Sequence, residues 1–312
     1  MLQLSEIQFP LGARSSSVWV IHDGHETLLF DSGCYGDSEA FIEPGIQQLG
    51  ISPDSVTCVV ASHPDVDHFG GASYWQKRNG AKVIANTLDA PLMEKHSTYL
   101  SERGDEFSLE YGLSETPENL EWLRTHGADV TVDTKLESDA EYLIGDDRIQ
   151  ILHIPGHSRG HLGVSEPKSK ILLISDAVLG AYVPYADGSP SFPPTYRFVE
   201  SYVKSIQRIQ SLDFETLATA HYGKFDRESA EVFLQQSLEF THSLEQAVLS
   251  VLSDSPANLS EIVRRVDLCF GDWPKPTART ALAQPVFGHL EVLENRGLVQ
   301  KQKEEVFAWV RV

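Results

Sequence analysis

Two histidines and two aspartates, His63, Asp65, Asp67 and His68, stand within six residues of this chain. They come directly after the apolar run 56–61 and directly before Gly70-Gly71. A short run rich in β-branched and small apolar residues, bounded by polar ones, reads as a buried strand. Carboxylates at its end are costly to bury unless cations accompany them. The residue types are those that hold metals: imidazole nitrogen suits zinc or iron, and carboxylate oxygen suits harder cations. A metal site at the mouth of a strand explains the cluster; packing alone does not.

Three other places repeat that topology. His157 follows the apolar run 149–154 through Pro155-Gly156, Asp176 follows 171–175, and His221 follows 216–220. Taken singly, an Asp in such a place is an ordinary cap and a His an ordinary surface residue. Taken together, they belong to a layered α/β fold in which strand ends on one edge converge on a common cleft. Further strands are expected at 17–21 and 27–31 around Asp23-Gly24, and at 81–85. Helices are expected at 38–49, from 71 to 77 and at 197–212. Residues 86–139 are acidic and helix-prone and carry Tyr99, Phe107, Tyr111 and Trp122. They read as a helical excursion that covers the site.

Two domains are expected, 1–225 with the chemistry and 226–312 without it. In the second, residues 257–312 look like a small separate unit. A helix from Leu259 and another at 278–296, broken or restarted at Pro285, precede a hairpin of 297–300 and 306–310. Helix, helix, hairpin is winged-helix-like. From Thr241 onward eight Lys/Arg face nine Asp/Glu, a net of −1, so packing or dimer formation suits this unit better than DNA reading.

The formal charge of the whole chain is −20, which repels phosphate backbones and makes nucleic acid a poor partner. Three scattered cysteines suggest neither a disulfide framework nor a Cys-rich zinc site. No basic leader and no long apolar span is evident, so a cytoplasmic protein without membrane contact is expected.

The ordered set of motifs resembles the metallo-β-lactamase superfamily over about residues 10–225. The family's Asp-Thr/Ser-Gly strand end is Asp31-Ser32-Gly33 here, and its His-x-His-x-Asp-His is His63-Pro64-Asp65-Val66-Asp67-His68. Its Pro-Gly-His is Pro155-Gly156-His157, its strand-end Asp is Asp176, and its late His is His221 in Ala220-His221-Tyr222-Gly223. The resemblance implies an αββα sandwich with the site on one edge of the two sheets. It implies two metal pockets: His63, His157 and position 65 in the first, Asp67, His68 and His221 in the second, with Asp176 bridging. Asp31 would stand behind a ligand histidine and orient it. Zinc is the expected ion.

Position 65 departs from the family, which most often has His there. Asp65 can bind directly, bind through water, or leave the first pocket weak. It makes that pocket harder and shifts preference toward iron or manganese. Oxygen-reducing di-iron members carry a carboxylate at this position, but those commonly come fused to a flavodoxin-like domain, and no stretch of this sequence reads as one. The layout resembles the glyoxalase II-like group, with a small-molecule substrate. The chemistry implied is attack by a metal-bridged hydroxide, oriented by Asp67 or Asp176, on a small ester, lactone or thioester. The alternatives are a di-iron oxidoreductase, a ribonuclease, or a catalytically weakened binding module. Tyr196 is the favoured oxyanion donor, with His161 and Tyr222 as candidates beside the metal ligands.

Overall fold

The computed structural model describes residues 2–271, 273–274, 278–303 and 305–312. Its first half builds a six-stranded sheet in chain order from β1 (Gln3–Leu11), β2 (Arg14–His22), β3 (Thr27–Phe30), β4 (Val56–Val60), β5 (Lys82–Asn86) and β6 (Thr134–Leu136). β3 to β6 run parallel to one another. The chain then crosses to a second sheet, entered through β7 (Ala140–Ile144), β8 (Asp147–His153), β9 (Leu162–Glu166) and β10 (Ile171–Ser175). A small ribbon of β11 (Val183–Pro184) and β12 (Pro190–Phe192) follows. β13 (Thr216–Thr219) and β14 (Lys224–Asp226) complete the second sheet in the order β14-β13-β10-β9-β8-β7.

The period-2 alternation of strands explains the layers. Leu28, Phe30, Cys58 and Val60 of the first sheet meet Ile149, Ile151, Val164 and Leu173 of the second in a dry seam between the sheets. The alternate residues Leu29 and Val59 face outward, where Ile42, Ile46, Phe69 and Trp75 cover them. On the far side Leu172, Ile174 and Leu217 pack under the helix Val199–Ser211 through Tyr202, Ile206 and Ile209. Each such side chain contributes roughly 1.5–3 kcal/mol by leaving water. The result is the expected αββα sandwich.

Strands β1, β7 and β9 were not anticipated from the sequence. The excursion contains β6 and a string of short helices, among them Ala90–Glu94, the single π turn Leu100–Gly104 and Pro117–His126.

After β14 comes a 25-residue helix, Arg227–Val251, then Leu259–Cys269 and Ala278–Asn295. A three-stranded sheet of β15 (Ala257–Asn258), β16 (Val299–Lys303) and β17 (Phe307–Arg311) closes the chain in the order β15-β17-β16. Pro285 does not break its helix, contrary to the sequence reading. Leu282, Val286, Leu290 and Leu293 are fully buried around it, and that packing outweighs the one backbone hydrogen bond a proline removes. The hydrophobic cluster of the helix Val199–Ser211 runs without interruption into Leu259, Ile262, Phe287 and Trp309, so the tail is built onto the second sheet's helix layer. No helix among the described residues is long and apolar enough to cross a membrane.

Candidate metal centre

Asp31 follows β3, His63 lies just beyond β4, Asp176 follows β10, and His221 lies just beyond β13. β3 and β4 run parallel, as do β10 and β13, so these ends face the same edge of the sandwich. The short helix Val66–Phe69 starts immediately after Asp65 and brings Asp67 and His68 back over that edge. Gly70 and Gly71 let this turn press onto its neighbours. A Cβ on Gly71 would lie 2.1 Å from the Ser32 carbonyl oxygen, and one on Gly70 would lie 2.5 Å from that of His126. No side chain larger than hydrogen fits there.

Behind the edge, one carboxylate orders the donors. Asp31 accepts the Ser62 backbone N–H (2.8 Å), the Ser62 hydroxyl (3.0 Å), the Ser175 hydroxyl (2.7 Å) and His68 Nδ1–H (3.0 Å). Asp31 and Ser175 achieve this from left-handed backbone, at φ 68° and 48°. Such conformations cost roughly 1–3 kcal/mol each and persist where the surroundings over-determine them.

The other imidazoles are fixed in the same sense. Nδ1 of His63 meets the Ser62 hydroxyl (2.8 Å), that of His157 meets the Thr195 carbonyl (3.2 Å), and that of His221 meets the Ser15 carbonyl (2.9 Å). With Nδ1 tied back in each case, all four rings turn Nε2 to the edge, the nitrogen that would bind a metal.

These donors form two sets. In the second, Asp67 Oδ2 and Asp176 Oδ2 each lie 3.6 Å from His68 Nε2, and 3.6 and 3.4 Å from His221 Nε2. A tetrahedral ion with bonds of about 2.1 Å separates its ligands by about 3.4 Å. The first set joins His63, His157 and Asp176. His63 Nε2, His68 Nε2 and Asp176 Oδ1 are buried without any hydrogen-bond partner. Buried polar atoms left unpaired in this way call for a ligand.

The electrostatics agree. Burial opposes a charge on His68, yet Asp67, Asp176 and Asp31 lift its pKa well above the ordinary value. Burial would raise Asp176, but His221 and His68 hold it well below the usual carboxylate range. Burial and the neighbouring His68 drive His63 well below its ordinary value. A pocket that stabilises a proton on a buried imidazole is one that favours positive charge.

Asp65 faces the first set but is shared. Its oxygens are forked by Arg103, through Nε and, at 2.9 Å, through Nη2. Asp65 Oδ2 also lies 2.9 Å from His157 Nε2 and 3.5 Å from His63 Nε2. Burial would raise the Asp65 pKa, but Arg103 outweighs it and holds the carboxyl well below its ordinary value. Arg103, on the π turn Leu100–Gly104, is the residue that sequence reasoning missed. It lies in the excursion, which does reach over the site, but in a stretch with no motif around it.

None of the three oxyanion candidates points into the edge. Tyr196 is fully buried in the helix layer; its hydroxyl pairs with His289 Nε2 at 3.0 Å, and its ring stacks on Tyr202. The loop does serve the site one residue earlier, through the Thr195 carbonyl on His157. Tyr222 gives its hydroxyl to backbone carbonyls of Leu179 and Tyr182. His161 stacks beneath His63 at 4.7 Å and meets the Ile174 carbonyl through Nε2. Burial and the nearby His157 push its pKa down to about 3, so it is neutral. It packs behind the site.

The profile of the metallo-beta-lactamase superfamily matches residues 11–221. The acyl-coenzyme A thioesterase MBLAC2 of Gallus gallus is 24% identical over 238 residues, 71% of this chain and 77% of that protein. The metallo-beta-lactamase family protein TTHA1429 from Thermus thermophilus superposes with a TM-score of 0.76 at 19% identity, covering 100% of this chain and 98% of its own. A beta-lactamase domain protein from Burkholderia ambifaria superposes at 0.73 with 16% identity, covering 100% and 91%. The chain belongs to the metallo-beta-lactamase superfamily.

Proposed function

We propose that this member of the superfamily is a metal-dependent hydrolase of a small acyl thioester. The observation that carries the reading is the set of inward-facing donors, all with Nδ1 tied back and with buried orphan atoms at His63 Nε2, His68 Nε2 and Asp176 Oδ1. Asp67, His68, His221 and Asp176 would hold a divalent cation, zinc by donor type and spacing. His63 and His157 would face a second cation, with Asp176 shared. Such a cation supplies Lewis acidity to the carbonyl and acidifies a bound water.

The chain's own residues do the rest. Asp31 keeps His68 in the metal-binding tautomer. Asp67 and Asp176 set the negative field that draws the cation in and can each orient a water by accepting its hydrogen bond. Among ester, lactone and thioester, the MBLAC2 relative favours the thioester. The iron-based redox alternative drew on Asp65 as a carboxylate ligand; Arg103 forks that carboxylate, which weighs against it.

The test compares chelator-stripped and zinc-reloaded protein for thiol release from acyl-coenzyme A thioesters, with a lactone and a simple ester alongside. Zinc-restored thiol release is expected. Fully metallated protein that cleaves only the lactone or ester overturns the thioester assignment, and one that cleaves none overturns the hydrolase.

A further inference from the structure

Arg103 is a permanent cation set against one of the two donor sets. It is forked onto Asp65, and its Nη2 lies 3.2 Å from His157 Nε2, the nitrogen that faces the pocket. With His157 Nδ1 on the Thr195 carbonyl, Nε2 is the nitrogen left for the pocket, and it is already engaged there: Asp65 Oδ2 lies 2.9 Å from it and Arg103 Nη2 3.2 Å. Arg103 also reaches the His157 carbonyl oxygen, at 3.4 Å. Its side chain is only 11% exposed, so it is held in place and weakly screened.

The charges of the two sets therefore differ. Asp67 and Asp176 bring two negative charges to the second set, and among the described residues neither pairs with Lys or Arg. At the first set Arg103 cancels Asp65, leaving only the shared Asp176. A dication entering there meets a neutralised carboxylate, an imidazole nitrogen already in contact with Asp65 and Arg103, and the repulsion of any ion in the second set.

We infer that Arg103 makes the centre asymmetric: one divalent cation binds tightly through Asp67, His68, Asp176 and His221, and the first set takes a second cation only weakly, because the guanidinium supplies the positive charge there. This deepens the metal-centre reading above and rests on it.

The experiment titrates chelator-stripped protein with Co(II), followed by calorimetry and visible absorption, with metal content checked by mass spectrometry. Wild type is expected to bind one equivalent tightly and the second at least about tenfold more weakly. Arg103→Met and Arg103→Gln free Asp65, and each should strengthen the second equivalent by about tenfold or more while leaving the first unchanged. Arg103→Lys keeps the charge and should keep the gap.

Two equivalents of equal affinity in wild type overturn the inference, as does a second equivalent unchanged or weakened in both neutral variants. Should those variants fail to fold, the wild-type stoichiometry alone decides. Failure of the thioesterase reading looks different: one tight equivalent with no thiol release leaves the asymmetry standing, and two equal equivalents with thiol release leave the enzyme standing.

Discussion

The two donor sets share Asp176 and lie side by side on the sheet edge, but they balance charge in different ways. In the second, Asp67 and Asp176 face His68 and His221 at 3.4–3.6 Å, with no cationic side chain between them among the described residues. In the first, Asp65 stands close to His63 and His157 but spends both oxygens on Arg103. The difference teaches that the number of donors does not measure a metal pocket. What counts is the charge left unbalanced once the protein's own cations have been placed.

The most damaging change should be at the residue common to both. Asp176→Ala removes a carboxylate from each set, leaving His68 and His221 with one anionic partner fewer. Turnover should fall about a thousandfold or more, since a metal's catalytic contribution is several kcal/mol. Metal content should fall with it while circular dichroism stays native. Activity within about tenfold of wild type would show that the sets do not depend on this residue.

Next come the paired tests that separate the sets. His221→Ala should strip the purified protein of its tight ion, whereas His157→Ala should retain it, as read by metal analysis. The reverse order would invert the comparison. Smaller again is Asp31→Asn. It keeps the shape but weakens acceptance from His68 Nδ1 and the two serines. A loss of about ten- to a hundredfold in zinc affinity is expected, the usual cost of removing a group that orients a ligand. Competition with a chromogenic chelator measures it.

The unequal legibility of these regions has a physical cause. His63, Asp67, His68, His157, Asp176 and His221 were visible because each sits at a strand end, where an apolar run fixes the place and the polar residue after it stands out. Asp31 was visible only through the resemblance, as the Asp of Asp31-Ser32-Gly33. Arg103 was not: it lies 38 residues from Asp65, on a turn whose neighbours carry no periodicity, and only the folded excursion brings them together. Ser62 and Ser175 were hidden because serine at a strand end has many uses, and only the left-handed backbone at Ser175 turns its hydroxyl to Asp31. β1, with its acidic and polar residues on the exposed face, lacked the apolar run that marked β4. Thr195 serves through its carbonyl, which no side-chain pattern can report.

Tyr196 gives the finest test, because the sequence put it in the chemistry and the structure puts it in the packing. Its hydroxyl joins the helix layer under the second sheet to the tail, through His289. Burial holds His289 below its ordinary pKa, so the imidazole is neutral and the bond is one between neutral groups. Tyr196→Phe leaves His289 Nε2 buried without its partner, a loss of about 1–3 kcal/mol. The ring's stacking on Tyr202 at 4.4 Å survives the change. Thermal unfolding should therefore drop by several degrees while kcat/KM for the thioester stays within about threefold, about 1.4 kcal/mol being needed for a factor of ten. A fall of about a hundredfold in kcat/KM at unchanged Tm would return the phenol to the reaction and sever the tail from it. A fall in Tm alone shows instead that the tail is clamped to the sandwich through this hydroxyl, at a distance from the metal edge.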